Sequence, residues 1–203
     1  QLKSKIGIAH TRWATHGKVT RENTHPFNSS DGNFAVVHNG IISNYRPLRD
    51  QLKKEGYKFS SETDTEVIAH LLEKFFKRSR NPEKALLKTL NLIEGTFALA
   101  FICTYLPGHI FCAKRESPLM LGIGDEIKFV GSDFNAFIDH TKNAVILDDG
   151  ESVLDGEIFK GQLPKTIFKP VVPFSEQKYE VALYDQLRAL RLSLAQERNI
   201  PSY

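Results

Sequence analysis

Apolar residues recur along this chain with two different periods, and the change falls near residue 95. Residues 34–38, FAVVH, form a short continuous apolar run that reads as a buried strand entering Asn39-Gly40. A helix is expected from 44 to 55, with Tyr45, Leu48 and Leu52 on one face and Gly56 as its stop. The stretch SSETDTEV reads as the start of a second helix. Its Ser, Thr and Asp side chains can cap the first amides, and its acids favour the positive end of the helix dipole. Val67, Ile68, Leu71, Leu72, Phe75 and Phe76 form the apolar stripe of that helix. Pro82 suits the first position of a third helix, with Leu86, Leu87, Leu90 and Ile93 as its buried face and Gly95 as its end.

Beyond residue 95 the helical spacing is replaced by short apolar runs separated by turn residues. Residues 97–104, 109–114, 119–123 and 127–131 read as consecutive antiparallel strands. Residues 145–147, 152–154 and 157–159 continue the series, with Asp149-Gly150 and Asp155-Gly156 as turns. Helices in one block and strands in another predict an α+β fold with helices packed on sheets. After Gly161 the pattern dissolves, and Pro164, Pro170 and Pro173 mark a linker. A new amphipathic helix is expected from 176 to 198, with Leu183, Leu187, Leu190 and Leu194 at helical spacing. The domains read as 1–161, a linker at 162–175, and the helix at 176–203 as the start of another helical unit.

Composition narrows this picture. The chain has 203 residues, of which 41% are hydrophobic, enough for a sizeable core. A net charge of +3 is too small to argue for nucleic acid, because Lys and Arg are scattered among the acids. A nucleic-acid reading would rest on the tail, where Arg188, Arg191 and Arg198 are available, and such a helix is more often an ordinary packing helix. No apolar stretch is long enough to span a bilayer, and no signal peptide is visible, so a cytoplasmic location is expected. Cys103 and Cys112 sit in apolar runs and read as buried free thiols rather than as a disulfide. No Cys/His spacing resembles a zinc site, so neither a metal nor another cofactor is expected. The chain opens on Gln1 rather than on methionine, which suggests that the true N-terminus lies upstream.

Three places carry candidate chemistry. The run GIAHTRWATHG puts Arg12, Trp13, Thr15 and His16 in one short stretch. A planar guanidinium matches a carboxylate with two parallel hydrogen bonds, and Thr15 and His16 can add donors. The bland alternative is a polar turn with a surface arginine and a core tryptophan. Asn39-Gly40 is a strong hairpin signal, yet IISNYRPL is a poor return strand and a good helix entry. A strand ending there would aim the Asn39 amide and the Gly40 N–H at a developing oxyanion. Asp64 reads as a helix cap, or as a carboxylate for an ammonium group. Arg12 and Asp64 together have the parts to clamp an α-amino acid. No nucleophile is apparent: there is no G-x-S-x-G elbow and no glycine-rich phosphate loop.

HTRWATHG, VVHNGIISNY and SETDTEVIAHL, in this order and spacing, closely resemble the glutaminase domain of the glutamine–fructose-6-phosphate aminotransferases. That domain is one of the N-terminal-nucleophile (class II) glutamine amidotransferases. EGTFALAF, KRESPLMLGIG, the GSD at 131–133 and DDGE extend the resemblance over about residues 6–160. It implies a four-layer αββα sandwich of two antiparallel sheets covered by helices. By resemblance, Arg12 holds the glutamine α-carboxylate with Thr15 and His16, Asp64 pairs with the ammonium, Asn39 and Gly40 form the oxyanion hole, and Trp13 gates ammonia.

The chemistry implied is hydrolysis of L-glutamine through a thioester on an N-terminal cysteine whose α-amino group is the base. Ammonia would pass to a sugar-isomerase domain that uses fructose 6-phosphate, in a protein expected to form homo-oligomers. The family's cysteine, and a second arginine of the glutamine pocket, belong to a segment upstream of Gln1, and Cys103 and Cys112 match no catalytic position. This chain is therefore expected not to hydrolyse glutamine as written. The tail YEVALYDQLRALRLSLAQERNIPSY departs from the usual join and resembles the first helix of the small domain that ends RecQ-type helicases. Two further readings stand beside this one: another class II amidotransferase with a different acceptor, and a non-catalytic glutamine-binding module.

Overall fold

The computed structural model describes residues 5–11, 20–149, 151–154, 157–160 and 172–173. Helices α1 (Tyr45–Lys54), α2 (Thr65–Ser79) and α3 (Pro82–Leu90) form where the helical spacing places them. Strands β1 (Phe27–Asn28) and β2 (Phe34–Ile42) precede them. After them come β3 (Gly95–Cys103), β4 (Phe111–Arg115), β5 (Met120–Ile123), β6 (Lys128–Gly131) and β7 (Asn143–Ile146). The remaining strands are β8 (Glu151–Leu154), β9 (Glu157–Lys160) and β10 (Val172–Pro173).

These strands make two antiparallel sheets, ordered β1-β2-β3-β4-β8-β9 and β10-β7-β5-β6. They are therefore not one meander. The chain leaves β4 to build β5, β6 and β7 in the second sheet, then returns as β8 to the free edge of β4. Alternation along β3 explains how one sheet serves two neighbours. Phe97, Leu99, Phe101 and Cys103 face the helices and join the main core with Phe34, Ile42, Ile68 and Leu71. Ala98 and Ala100 face the other way and meet Cys112, Leu121, Val145 and Leu147 between the sheets. Beyond the second sheet, Met120, Phe137 and Ala144 form a small cluster beside a 3-10 turn, Phe134–Ala136. The layers thus run helices, sheet, sheet, and among the described residues this turn stands on the outermost face. Both cysteines are buried, and neither is in a disulfide.

Four local features differ from the sequence reading. Strand β2 neither stops nor turns back at Asn39-Gly40; it continues to Ile42, paired with β3 throughout. Asp64 occupies the N-cap position of α2 without making a side-chain cap. Gly95 does not end α3, which stops at Asn91; it opens β3 instead. Helix α2 is buried on more than one stripe, because it lies between its neighbouring helices and the sheet. Its buried Lys74 is matched by Glu55 at 2.6 Å. By contrast α3 starts as its sequence suggests, with Pro82 in the first turn and the Asn81 side chain accepting from Lys84 N at 2.8 Å. The helix predicted at 176–198 lies outside the described residues.

Candidate functional site

The exit of β2 is shaped by two glycines on adjacent strands. Gly40 has φ +135°, and a Cβ there would stand 2.2 Å from the carbonyl oxygen of Thr96. Gly95 has φ +106°, and a Cβ there would stand 2.2 Å from the carbonyl oxygen of Ile41. Each strand therefore presses a carbonyl into the space where the other lacks a side chain, which only glycine permits. Asn39 is exposed, on the strand face opposite the helices, with Val37 before it. His38 is buried on the helix side, and its Nδ1 lies 3.0 Å from Thr65 Oγ1 at the start of α2.

Asp64 reaches the same strand from the other direction. Its Oδ2 accepts from Ile42 N at 2.8 Å, two residues beyond Gly40. Its Oδ1 is 3.5 Å from Thr65 Oγ1, long for a hydrogen bond. The carboxylate is thus spent on β2 rather than on the amides of α2, which is why it does not cap the helix. At 3% exposure Asp64 is enclosed, while Asn39 is open. Tertiary structure therefore brings Asp64 to the strand that carries Asn39 and Gly40. Arg12, Trp13, Thr15 and His16 lie outside the described residues. The segment before them does not: the ring of His10 packs on His25 at 4.2 Å, and His25 packs on Phe27 of β1 at 4.8 Å.

The residue that sequence reasoning missed is Glu66. It is 2% exposed and bridges back to the turn before the helix. Ser60 N and Oγ donate to its Oε1 at 2.7 and 2.9 Å, and Ser61 N and Oγ donate to its Oε2 at 2.8 and 2.6 Å. Burial alone would raise the Glu66 carboxyl, but His70 and the Ser60 and Ser61 donors outweigh it and hold the pKa at about 2. His70 Nε2 stands 3.7 Å from Oε1. A signal existed in the sequence. Thr63 and Glu66 stand at the T-x-x-E spacing of a capping box. In the structure the glutamate reaches past Thr63 to the two serines.

Glu66 and His70 also line a cavity of about 490 Å³. Its other walls include Arg21, Ser29, Ser30 and Lys58, on the helix side of the sheet rather than beside Asn39. Neither cysteine suits a nucleophile. Cys112 is fully buried between the sheets, and burial pushes the Cys103 thiol up, away from thiolate. Among the described residues, no group of three His, Cys, Asp or Glu side chains could hold a metal ion, and no helix is long and apolar enough to cross a membrane.

The comparisons with known proteins agree on one family. Residues 10–139 match the family described as glutamine amidotransferase domain. A glutamine–fructose-6-phosphate aminotransferase (isomerizing) of Aquifex aeolicus is 52% identical over 149 residues, covering 73% of this chain and 25% of that protein. One of Methanothermobacter thermautotrophicus is 47% identical over 158 residues, covering 77% and 27%. This chain spans about a quarter of the length of these curated relatives. Among solved structures, glutamine phosphoribosylpyrophosphate amidotransferase from B. subtilis, complexed with ADP and GMP, superposes with a TM-score of 0.59 at 27% identity, covering 73% of this chain and 33% of that one. An allosteric regulatory enzyme of purine biosynthesis gives 0.60 at 28%, with the same coverage. With its two antiparallel sheets, its helical cover and this match, the chain belongs to the glutamine amidotransferase domain family.

Proposed function

We propose that this chain is the glutaminase part of a glutamine–fructose-6-phosphate aminotransferase, the enzyme that forms glucosamine 6-phosphate. The observation that carries the reading is the family match over residues 10–139, beside which Asp64, bonded to Ile42 N, touches the strand that bears Asn39 and Gly40. The acceptor is inferred from the relatives. The aminotransferases are 43–52% identical to this chain, against 27–28% for the phosphoribosylpyrophosphate and purine enzymes.

In this reading Arg12, helped by Thr15 and His16, binds the α-carboxylate of L-glutamine, and Asp64 binds the ammonium. An N-terminal cysteine thiol attacks the side-chain amide carbon. The C=O pair moves to oxygen, and the Asn39 Nδ2 and Gly40 N–H donors stabilise that oxyanion. Loss of one such donor costs about 3 kcal/mol in the transition state. The α-amino group takes the thiol proton and returns it to nitrogen, which leaves as ammonia. Water then splits the thioester to glutamate. Trp13 gates the ammonia toward a sugar-isomerase domain that binds fructose 6-phosphate. The complete enzyme is a cytoplasmic homo-oligomer without a cofactor in the glutaminase part.

Residues 1–203 alone are expected to be inactive, because neither buried thiol can serve as the nucleophile. The test uses the full-length protein. It should release glutamate from glutamine and lose that activity on labelling of one cysteine with a glutamine-like electrophile. If it does neither, the reading fails. If it makes glutamate but no glucosamine 6-phosphate from fructose 6-phosphate, the glutaminase stands and the acceptor is wrong.

A further inference from the structure

The turn between Tyr57 and α2 has a construction that its sequence does not require. Only three residues separate Ser61 from the first residue of the helix, and Asp64 is the last of them. Both ends of this link are pinned. At one end Glu66 takes four donors from Ser60 and Ser61, all between 2.6 and 2.9 Å. A carboxylate offers only acceptors, about four lone-pair sites, so this arrangement fills it. Ser61 Oγ, while donating to Glu66, accepts from Thr63 N at 3.3 Å. The Arg49 guanidinium donates to the carbonyls of Ser61 and Thr63, and Asn23 Oδ1 accepts from Glu62 N at 2.8 Å. At the other end the Asp64 carboxylate meets Ile42 N.

We propose that Glu66 is a positioning residue that fixes the direction of the Asp64 carboxylate through the 60–64 turn. This rests on the reading that Asp64 binds the substrate ammonium. The physical reason is lever length. Glu66, the second residue of α2, reaches back to Ser60 and Ser61 ahead of the helix, and its two oxygens grip two successive residues, so rotation of the turn about its own axis is blocked. Its glutamine variant keeps the volume but presents an NH₂ to an N–H and a hydroxyl. Half of the clasp is lost and a buried donor is left facing a donor. The turn can then rotate, and Asp64 with it. Glu66 touches no substrate; it acts only through Asp64.

The full-length protein with Glu66→Gln tests this, with Asp64→Asn beside it. KM for glutamine and kcat for glutamate release are measured below the unfolding temperature of each variant. Misdirection of Asp64 predicts a KM raised about tenfold in Glu66→Gln, with kcat changed far less. Asp64→Asn should raise KM at least as much. A purely structural Glu66 would lower Tm and leave KM unchanged, and that result overturns the proposal. If Asp64→Asn leaves KM unchanged, the ammonium reading fails and this inference with it. If only Glu66→Gln leaves it unchanged, this inference alone fails. Should Glu66→Gln not fold, Ser61→Ala removes one donor and keeps the carboxylate. A KM raised about two- to threefold is then expected, and an unchanged one is decisive against the proposal.

Discussion

The two faces of the six-stranded sheet are built from the same strands and solve opposite problems. On the helix side the strands present large rings, Phe34, Phe97, Phe101 and Phe111, which fill the angle between a sheet and three helices. On the other side they present Ala98, Ala100 and Cys112, small enough for a second sheet to lie against them. The chemistry follows this division. Asp64 and Glu66 are buried in the helix layer, while Asn39 stands exposed on the opposite face of the strand that Asp64 touches. A strand can carry both because its side chains alternate and its backbone is shared.

The sharpest way to break this contrast is to exchange sizes at neighbouring positions of β3. Phe101 stacks on Phe111 at 4.6 Å and is fully buried. Phe101→Ala should cost about 3–5 kcal/mol, read as a lower midpoint in denaturant unfolding. Next in size is the point where the two faces share the backbone. Gly40→Ala sets a Cβ against the Thr96 carbonyl at positive φ, and about 3 kcal/mol is expected, at the upper end of the range for such strain. The same measurement reads it, and an unchanged midpoint would show that β2 can part from β3 there without cost. Ala100→Leu, one residue from Phe101 but between the sheets, should destabilise by overpacking, about 1–3 kcal/mol. If it stabilises instead, the space between the sheets is not as tight as its small residues imply.

The two smaller effects concern the helix layer. Glu66 titrates at about 2 in the fold, against an ordinary value of 4.5. A depressed carboxyl contributes stability that is complete above about pH 4.5 and is lost as pH falls toward 2, by at most about 1.4 kcal/mol per pH unit. Denaturant midpoints across that window should fall for the native chain and fall less steeply for Glu66→Gln; parallel curves would remove Glu66 from the account. Smallest is Asn81→Ala, which deletes the cap on Lys84 N and should cost about 1 kcal/mol. A loss near zero would show that packing alone starts α3.

The helices and most strands were legible in the sequence because each rests on a local period. Leu48 and Leu52 in α1, or Phe97, Leu99 and Phe101 in β3, repeat at the spacing their backbone imposes. The end of β2 was misplaced at Asn39-Gly40 because that dipeptide's preference is local, whereas nine paired residues along β3 carry the strand through it to Ile42. Of the two readings of Asp64 only the cap fails, and for the same reason: a cap is the local use of an aspartate, and the Ile42 amide offered a better one from 22 residues away. The sequence by itself determined the residue types, the order of helices and strands, and three motifs specific enough to point to a family. Tertiary structure alone decided which strands join which sheet, that Asp64 meets β2, and that Glu66 holds the turn between them. Those contacts join residues far apart in the chain or facing back along it, where neither periodicity nor local propensity carries information.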